Sequence, residues 1–129
     1  MNPETGNFLK LPEKLDGAEE LFHSLFEAKN VFVERIVSCG QKTPDGSWYD
    51  QEKDEWVILL QGEATLAYED KSEEQLVKGD YTFIPARKKH RVAQTSKEPP
   101  CIWLAIHGDI GLRKISATER LVKNGKSKR

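Results

Sequence analysis

Two stretches decide the fold: GSWYDQEKDEWVILLQG at residues 46–62 and GDYTFIPARKKHRVAQ at residues 79–94. Each begins at a glycine and contains a strand-length run rich in β-branched and aromatic side chains. Such runs, bounded by glycine, proline and polar residues, are typical of β-strands joined by turns. The two stretches therefore predict a strand-and-turn architecture for the middle of the chain.

Short alternating segments extend this architecture over most of the sequence. From residue 31 onward the apolar residues recur with a period of two, which is typical of strands with one buried face. Several such strands at regular spacing, separated by turns of glycine, proline and polar residues, predict an antiparallel sandwich or barrel. The predicted strands are residues 31–38, 55–61, 64–68, 75–77, 81–84, 90–95 and 101–107.

The N-terminal region has a different period. Its apolar residues recur at intervals of three and four, the spacing of one face of an amphipathic helix. Asp16 is a suitable N-cap, with Glu19 three residues later as its reciprocal partner. The pattern predicts one amphipathic helix over residues 16–28. Its apolar face would consist of Ala18, Leu21, Phe22, Leu25 and Phe26.

The chain length of 129 residues has room for one domain with a single core. Its hydrophobic share of 37% and charged share of 32% are those of a globular chain. We therefore expect three parts: an N-terminal arm with the helix at residues 1–30, a barrel at residues 31–107 and a C-terminal tail at residues 108–129.

Charge and hydropathy restrict the partners and the location. The formal net charge of −1 offers no footprint for nucleic acid. No apolar run approaches the roughly 20 residues of a membrane-spanning helix, so we expect no membrane partner. The N-terminal residues lack the basic-then-apolar pattern of a secretory signal, which favours a cytoplasmic location.

The first stretch resembles the first of two sequence motifs of the cupin superfamily. That motif reads G-x5-H-x-H-x(3,4)-E-x6-G. Glu55 and Gly62 keep the E-x6-G interval, and Gly46 serves as the leading glycine. Neither histidine of the motif is present, so the resemblance is good in the second half of the motif only.

The second stretch resembles the second cupin motif, G-x5-P-x-G-x2-H-x3-N. Gly79, Pro85 and His90 keep their places in it. Arg87 stands where the motif has its second glycine, and Gln94 stands where it has asparagine. The resemblance as a whole covers residues 31–107, and the short interval between the two motifs is similar to that of compact bacterial cupins.

The resemblance implies a fold and a class of protein. The fold would be all-β, a double-stranded β-helix of the cupin or jelly-roll type, with one N-terminal amphipathic helix added. More narrowly, WYDQEKDEWV followed by IPARKKHRV and IWLAIH is similar to small, single-domain bacterial cupin proteins that have no assigned reaction.

Cupin enzymes usually bind a divalent metal through two first-motif histidines, the glutamate of that motif and the histidine of the second. With the shorter motif gap, the resemblance implies Gln51, Glu55 and His90 as ligands. With the longer gap, Asp50 replaces Gln51. Such oxygen-rich sets bind borderline metals less tightly than three histidines do. Zn, Fe, Mn or Ni are the candidate ions, and otherwise we expect no cofactor.

Strand parity brings the same residues to one pocket. If Glu55 faces the barrel interior, the carboxylate meets His90 near one mouth, a common place for a ligand. His90, Val92 and Gln94 share a parity on their predicted strand. We therefore expect Tyr49 and Gln94 to line the pocket, with Glu55 and His90 as the candidate catalytic pair.

Three functions stay open at this point. The first is a cupin-domain protein that binds a small polar ligand in its barrel, with or without a divalent metal. The second is a metal-dependent oxygenase or isomerase that acts on a small-molecule substrate. The third is a metal-free enzyme in which Glu55 and His90 act as an acid–base pair. The two motifs do not separate these functions.

The expected assembly is a homodimer. Trp56, Ile58 and Leu60 have the parity opposite to Glu55, so they would form an apolar patch on the outer face of their sheet. A second copy could cover that patch. The competing account is that the N-terminal helix or the first strand of the same chain covers it.

Overall fold

The computed structural model describes residues 5–15 and 18–111. Most of the predicted C-terminal tail, residues 112–129, and the predicted helix cap Asp16 lie outside these ranges. The described chain is all-β, and none of it forms a helix that could cross a membrane. Its strands are β1 (Leu21–Ala28), β2 (Val31–Ser38), β3 (Asp54–Gln61), β4 (Ala64–Tyr68), β5 (Glu73–Leu76), β6 (Tyr81–Ile84), β7 (His90–Thr95) and β8 (Cys101–Gly108).

The strands form two antiparallel sheets, as the alternating pattern predicts. The larger sheet has the order β1-β2-β8-β3-β6, and the smaller sheet has the order β5-β4-β7. Strands β3 and β4 are consecutive in the chain but belong to different sheets, so the turn between them carries the chain from one layer to the other. The prediction of an all-β fold built from two antiparallel sheets is confirmed.

The prediction of an N-terminal amphipathic helix is wrong, because residues 21–28 form strand β1. This strand pairs with β2, and the register shifts between Ser24 and Phe26. The extra residue, Leu25, is a β-bulge, which moves Phe26 to the opposite face from Phe22. Two apolar pairs separated by a bulge therefore give the same spacing as a helical stripe.

The core lies between the two sheets. Val57 and Leu59 of β3 pair with Ala105 and Trp103 of β8, and all four are buried on the inner face of the larger sheet. Residues of β4 pack against them from the smaller sheet. The buried cluster comprises Val57, Leu59, Ala64, Leu66, Tyr68, Leu76, Ile84, Cys101, Trp103 and Ala105.

The turn after β3 depends on Gly62. Its φ of 92° lies in the left-handed region that favours glycine. A Cβ atom there would lie 2.8 Å from Ser96 Oγ and 2.9 Å from Cys101 Cα. The glycine of the E-x6-G interval is therefore required by both backbone conformation and close packing.

The outer face of the larger sheet is apolar and only partly covered. Trp56 and Ile58 are half-buried there, and the Trp56 ring lies 5.4 Å from that of Tyr81. Part of the cover comes from the N-terminal segment. Arg35 Nη1 donates to the carbonyl oxygens of Phe8 and Lys10, both at 2.9 Å. Residues of the N-terminal segment therefore lie against β2.

Candidate functional site

A cavity of about 70 Å³ lies between the sheets. Its floor is apolar and includes Val57, Leu66, Ile84 and Trp103. Its polar lining comes from residues at or just before the starts of β1, β3 and β7, from the middle of β2 and from the end of β8. That polar lining comprises Glu20, Glu34, Tyr49, Gln51, Glu55, His90 and His107.

His90 is held in one orientation at the start of β7. Its side chain is buried, and Nδ1 lies 2.9 Å from the carbonyl oxygen of Lys88. A carbonyl oxygen only accepts hydrogen bonds, so Nδ1 carries the proton and donates it. Nε2 is then an acceptor, and it lies 3.8 Å from Glu55 Oε1. Burial, more than any other effect, lowers the pKa of His90, which favours the neutral ring.

Tyr49 closes one side of His90. The two rings stack with centroids 5.5 Å apart and an interplanar angle of 28°. Their backbones also exchange two hydrogen bonds, of 2.7 Å and 3.1 Å. The loop before β3 is therefore fixed to the start of β7 at the edge of the cavity.

Glu55 is the least solvated carboxylate of the cavity. Only 7% of the residue is exposed, and burial raises its pKa from 4.5 to about 6. The charge of His107 opposes this rise in pKa, and the charge of Glu34 adds to it. Within residues 5–15 and 18–111, no side chain or backbone group donates a hydrogen bond to the Glu55 carboxylate. At 3.8 Å, His90 is too distant for one.

The neighbouring residue Asp54 fixes the start of β3. Its Oδ1 accepts a hydrogen bond from Ala86 N at 2.8 Å, and its Oδ2 accepts from Ile110 N at 3.1 Å and Gly111 N at 3.2 Å. These backbone donors hold the pKa of Asp54 below its ordinary value. The Asp54 carboxylate therefore ties three segments together and holds the backbone of Glu55 in place.

A second histidine–glutamate pair faces the same cavity. This pair was not predicted from the sequence. His107 Nε2 donates to Glu34 Oε2 at 2.9 Å, and both side chains are largely buried. Burial alone would lower the pKa of His107. The hydrogen bond to Glu34 and the charges of Glu55 and Glu34 outweigh burial, so the pKa of His107 is raised. Phe32 stacks on the His107 ring with centroids 5.6 Å apart.

Glu20 forms a further wall of the cavity, and sequence reasoning missed it as well. Its carboxylate accepts a hydrogen bond from Ser38 Oγ, and Trp103 Nε1 donates to the same hydroxyl at 3.0 Å. Burial raises the pKa of Glu20, and the Ser38 hydrogen bond opposes the rise. The two hydrogen bonds through the Ser38 hydroxyl thus link Trp103 in the core to Glu20 in the cavity wall.

The structure brings some predicted site residues together and separates others. Tyr49, Gln51, Glu55 and His90 all line the cavity. Asp50 does not line it, since its exposed carboxylate pairs with Arg87 Nη1 at 3.3 Å.

Gln94, which we expected to line the pocket, is exposed and lines a different groove beside Thr65. The reason is a register shift in the pairing of β4 with β7. Val92 pairs with Leu66, but Gln94 pairs with Thr65, so Ala93 is an extra residue. This bulge changes the face that Gln94 occupies.

The donor set does not fit a resident metal of the cupin type. Gln51, Glu55 and His90 supply one amide, one carboxylate and one imidazole. His107 already donates to Glu34. Among the described residues, no group of three His, Cys, Asp or Glu side chains could hold a metal ion. The described residues therefore do not reproduce the usual cupin set of three histidines and one glutamate.

A wider cleft of about 490 Å³ adjoins the cavity. The cavity and the cleft share Glu34, Gln51 and His107 as lining residues. The cleft also contains Lys53, which pairs with Asp109 at 3.3 Å. A ligand too long for the inner cavity could therefore extend past the shared residues into the cleft.

Solved structures share this architecture. A protein from Ralstonia eutropha JMP134, provisionally assigned as a mannose-6-phosphate isomerase, matches with a TM-score of 0.76 and 38% identity over 83% of this chain and 99% of that chain. A cupin superfamily protein from Desulfitobacterium hafniense DCB-2 matches with a TM-score of 0.64 and 21% identity, covering 81% and 94%. The polyketide cyclase RemF from Streptomyces resistomycificus matches with a TM-score of 0.58 and 17% identity, covering 76% and 70%.

Sequence comparison identifies the family. A search of curated proteins found no significant match. The sequence pattern of the Cupin domain family matches residues 39–107, a segment that contains both motifs and most of the cavity-lining residues. The chain belongs to the cupin domain family.

Proposed function

We propose that this protein binds a small polar molecule in the cavity between Glu55 and His90. The observation that carries the proposal is the buried Glu55 carboxylate, which receives no hydrogen bond within the described part of the chain. An ionised carboxylate in such a place is costly unless another group satisfies it. A ligand with hydrogen-bond donors would satisfy it and would reach His90 Nε2 at the same time.

The size of the cavity restricts the ligand. A space of about 70 Å³ holds several waters or the polar end of a small molecule, and it is well below the volume of common ligand pockets. The adjoining cleft supplies further room. We therefore propose a ligand whose polar head enters the cavity and whose remaining atoms lie along Gln51 in the cleft.

A metal-free acid–base enzyme is the second candidate. It is favoured by a Glu55 pKa of about 6 and by the unprotonated Nε2 of neutral His90. One group could remove a proton from a carbon beside a carbonyl, and the other could return a proton to the neighbouring atom, which is an isomerisation. The Ralstonia relative, provisionally assigned as a sugar-phosphate isomerase, supports this class.

Proton transfer can be tested directly by deuterium exchange. We would incubate the protein in D₂O with mannose or mannose 6-phosphate and follow the C2 proton by NMR. An isomerase of this kind incorporates deuterium at C2, and the Glu55→Gln and His90→Gln variants lose that activity. Absence of exchange with both sugars would reject sugar isomerisation and leave ligand binding as the function.

Ligand binding is tested with ligand-observed NMR and a panel of small polyols, amines and amides. We expect binding by the wild-type chain and weaker binding by Glu55→Gln. Glu73→Gln is the matched control, because Glu73 is exposed on β5 and does not line the cavity. Equal binding by all three proteins would contradict the proposed site. Metal analysis of protein purified without chelator would show whether a Zn, Fe, Mn or Ni ion occupies it instead.

We also propose that the outer face of the larger sheet pairs with a second copy. Trp56, Ile58 and Leu60 are apolar and only half-buried, and Tyr81 beside them is 64% exposed. Pairing would remove this apolar surface from water. We expect light scattering to give a dimer that Ile58→Lys dissociates. A particle of 14.7 kDa at high micromolar concentration would contradict the proposal.

A further inference from the structure

We infer that the ligand of the inner cavity is a small organic cation with a primary ammonium group. This inference rests on the proposed binding site and names the chemical class that the site selects. Three independent observations carry it: two acceptors within reach of one nitrogen, an excess of carboxylates in the lining, and aromatic rings in the walls.

The first observation is the spacing of Glu55 and His90. The Oε1 and Nε2 atoms lie 3.8 Å apart, so one nitrogen at a usual hydrogen-bond distance of about 2.9 Å can reach both. Both atoms are acceptors when the carboxylate is ionised, because Nδ1 of His90 holds the ring proton and donates it to the carbonyl oxygen of Lys88. A hydroxyl group has one proton to donate and would leave one acceptor unsatisfied. An ammonium group has three.

The second observation is the charge of the lining. Glu20, Glu34 and Glu55 place three carboxyl groups around the cavity. No lysine or arginine of the described chain lines the cavity. Among its described lining residues, only His107 favours a positive charge, and it is already paired with Glu34. An anionic group inside the cavity would lie close to the carboxylates of Glu20 and Glu55, which no lysine or arginine of the described chain pairs with. A ligand cation would balance them.

The third observation is the aromatic content of the walls. Tyr49, Phe22 and Trp103 line the same cavity as the carboxylates; Trp103 is buried, and the other two are partly exposed at the cavity rim. The faces of aromatic rings attract cations, and the attraction strengthens where water is excluded. A site that combines such rings with carboxylates favours an organic ammonium over a neutral molecule of equal size.

An organic cation fits the cavity better than a metal ion does. The described residues offer no group of three strong ligands for a metal. A metal ion would also leave the aromatic and aliphatic walls without a role, whereas the carbon atoms next to the ammonium group would contact Val57 and Leu66.

The test compares four probes that share one straight hydrocarbon chain: 1-butylamine, 1-butanol, butyramide and butyrate. Each is titrated into the ¹⁵N-labelled full chain at pH 8, and amide shifts around the cavity report binding. We expect butylamine to bind about tenfold more tightly than butanol or butyramide, the ratio that one charge-assisted hydrogen bond supplies. We expect no measurable binding of butyrate.

Two variants test whether Glu55 causes the preference for butylamine. Glu55→Gln should remove the preference for butylamine over butanol. Glu73→Gln removes the same charge from the exposed surface and should leave the preference intact. If Glu55→Gln fails to fold, the probe comparison in the wild-type chain still decides the question.

The outcomes separate this inference from the function on which it rests. Equal or tighter binding of butanol or butyramide in the cavity would overturn the cation and keep the binding site. If Glu73→Gln loses the preference for butylamine as fully as Glu55→Gln does, the preference arises from surface charge and the inference is overturned. Absence of binding by all four probes would overturn both the inference and the proposed site.

Discussion

Two histidine–glutamate pairs face one cavity and differ in almost every physical respect. His107 and Glu34 are joined by a hydrogen bond of 2.9 Å, and the pKa of His107 is raised. His90 and Glu55 lie 3.8 Å apart, the pKa of His90 is lowered, and that of Glu55 is raised to about 6. The first pair satisfies itself as an ion pair, whereas the second consists of two acceptors that face each other.

The difference follows from the strands that carry the residues. Glu34 and His107 lie on the neighbouring strands β2 and β8, so the register of one sheet brings them together. Glu55 lies on β3 of the larger sheet and His90 on β7 of the smaller sheet. The Asp54 contacts and the Lys88 carbonyl hold this second pair open. A pair within one sheet can stabilise the fold, and a pair across two sheets can accept a ligand.

The largest expected loss of stability follows substitution of the Glu34–His107 pair, which lies within the larger sheet. His107→Gln should lower the free energy of unfolding by about 3 kcal/mol at pH 7, because it leaves the largely buried Glu34 carboxylate without its charged partner. His90→Gln should cost about 1 kcal/mol or less, because Glu55 already lacks a hydrogen bond from His90. Urea denaturation of the two variants measures both effects.

Double-mutant cycles provide the control for this comparison. The variants Glu34→Gln and His107→Gln, made singly and together, should give a coupling energy of about 2 kcal/mol. The cycle for Glu55→Gln and His90→Gln should give less than about 1 kcal/mol. Equal coupling energies would show that the two pairs do not differ in the way described above.

A somewhat smaller effect is expected from Glu55→Gln as a function of pH. Between the unfolded pKa of 4.5 and the folded pKa of about 6, the folded chain binds more protons at Glu55 than the unfolded chain does. Glu55 therefore contributes stability below pH 4.5 that is lost as pH rises through 6, a difference of about 2 kcal/mol.

The substitution removes this dependence. Relative to the wild type, Glu55→Gln should gain stability between pH 4.5 and pH 7.5, and the gain should level off above the folded pKa. Denaturant unfolding at several pH values measures it, with Glu73→Gln as the exposed control. A difference between variant and wild type that is independent of pH would contradict the raised pKa of Glu55.

The smallest expected effect concerns Tyr49, which stacks on His90 but belongs to neither pair. Tyr49→Leu should destabilise the fold by about 1 kcal/mol through loss of ring stacking. Because the backbone bonds between residues 49 and 90 remain, the sheet should be unchanged. A loss as large as that of His107→Gln would mean that the loop before β3 stabilises the fold more than the ion pair does.

The sequence predicted that Glu55 and His90 share one cavity with Tyr49 and Gln51, but it did not indicate Glu20, Glu34 or His107. The motif spacing indicated Glu55 and His90, and strand parity turned both toward one cavity. In the described chain three β-bulges interrupt strand parity: one at Leu25, which resembled a helical stripe, one at Ala93, which moved Gln94 to the surface, and one at Leu60. A bulge depends on pairing with a partner strand, so the periodicity of a single strand does not reveal it.

The pair of Glu34 and His107 could not be predicted from motif spacing and strand parity. Glu34 was visible as a charged residue on the inner parity of β2, between Phe32 and Ile36, which is a weak signal for a buried acid. Its partner His107 lies 73 residues away in sequence. Only the alignment of β2 with β8 shows that the two side chains meet.

The protonation of Glu55 shows whether its carboxylate, which receives no hydrogen bond from the described residues, is open to a ligand. We would follow the glutamate carboxyl carbons by ¹³C NMR from pH 3 to pH 8 and assign the Glu55 signal by its absence in Glu55→Gln. We expect this signal to titrate at a pKa of about 6. A Glu55 signal that titrates at or below 4.5 would show that the carboxylate is already hydrated or hydrogen-bonded, and would contradict the proposed ligand site.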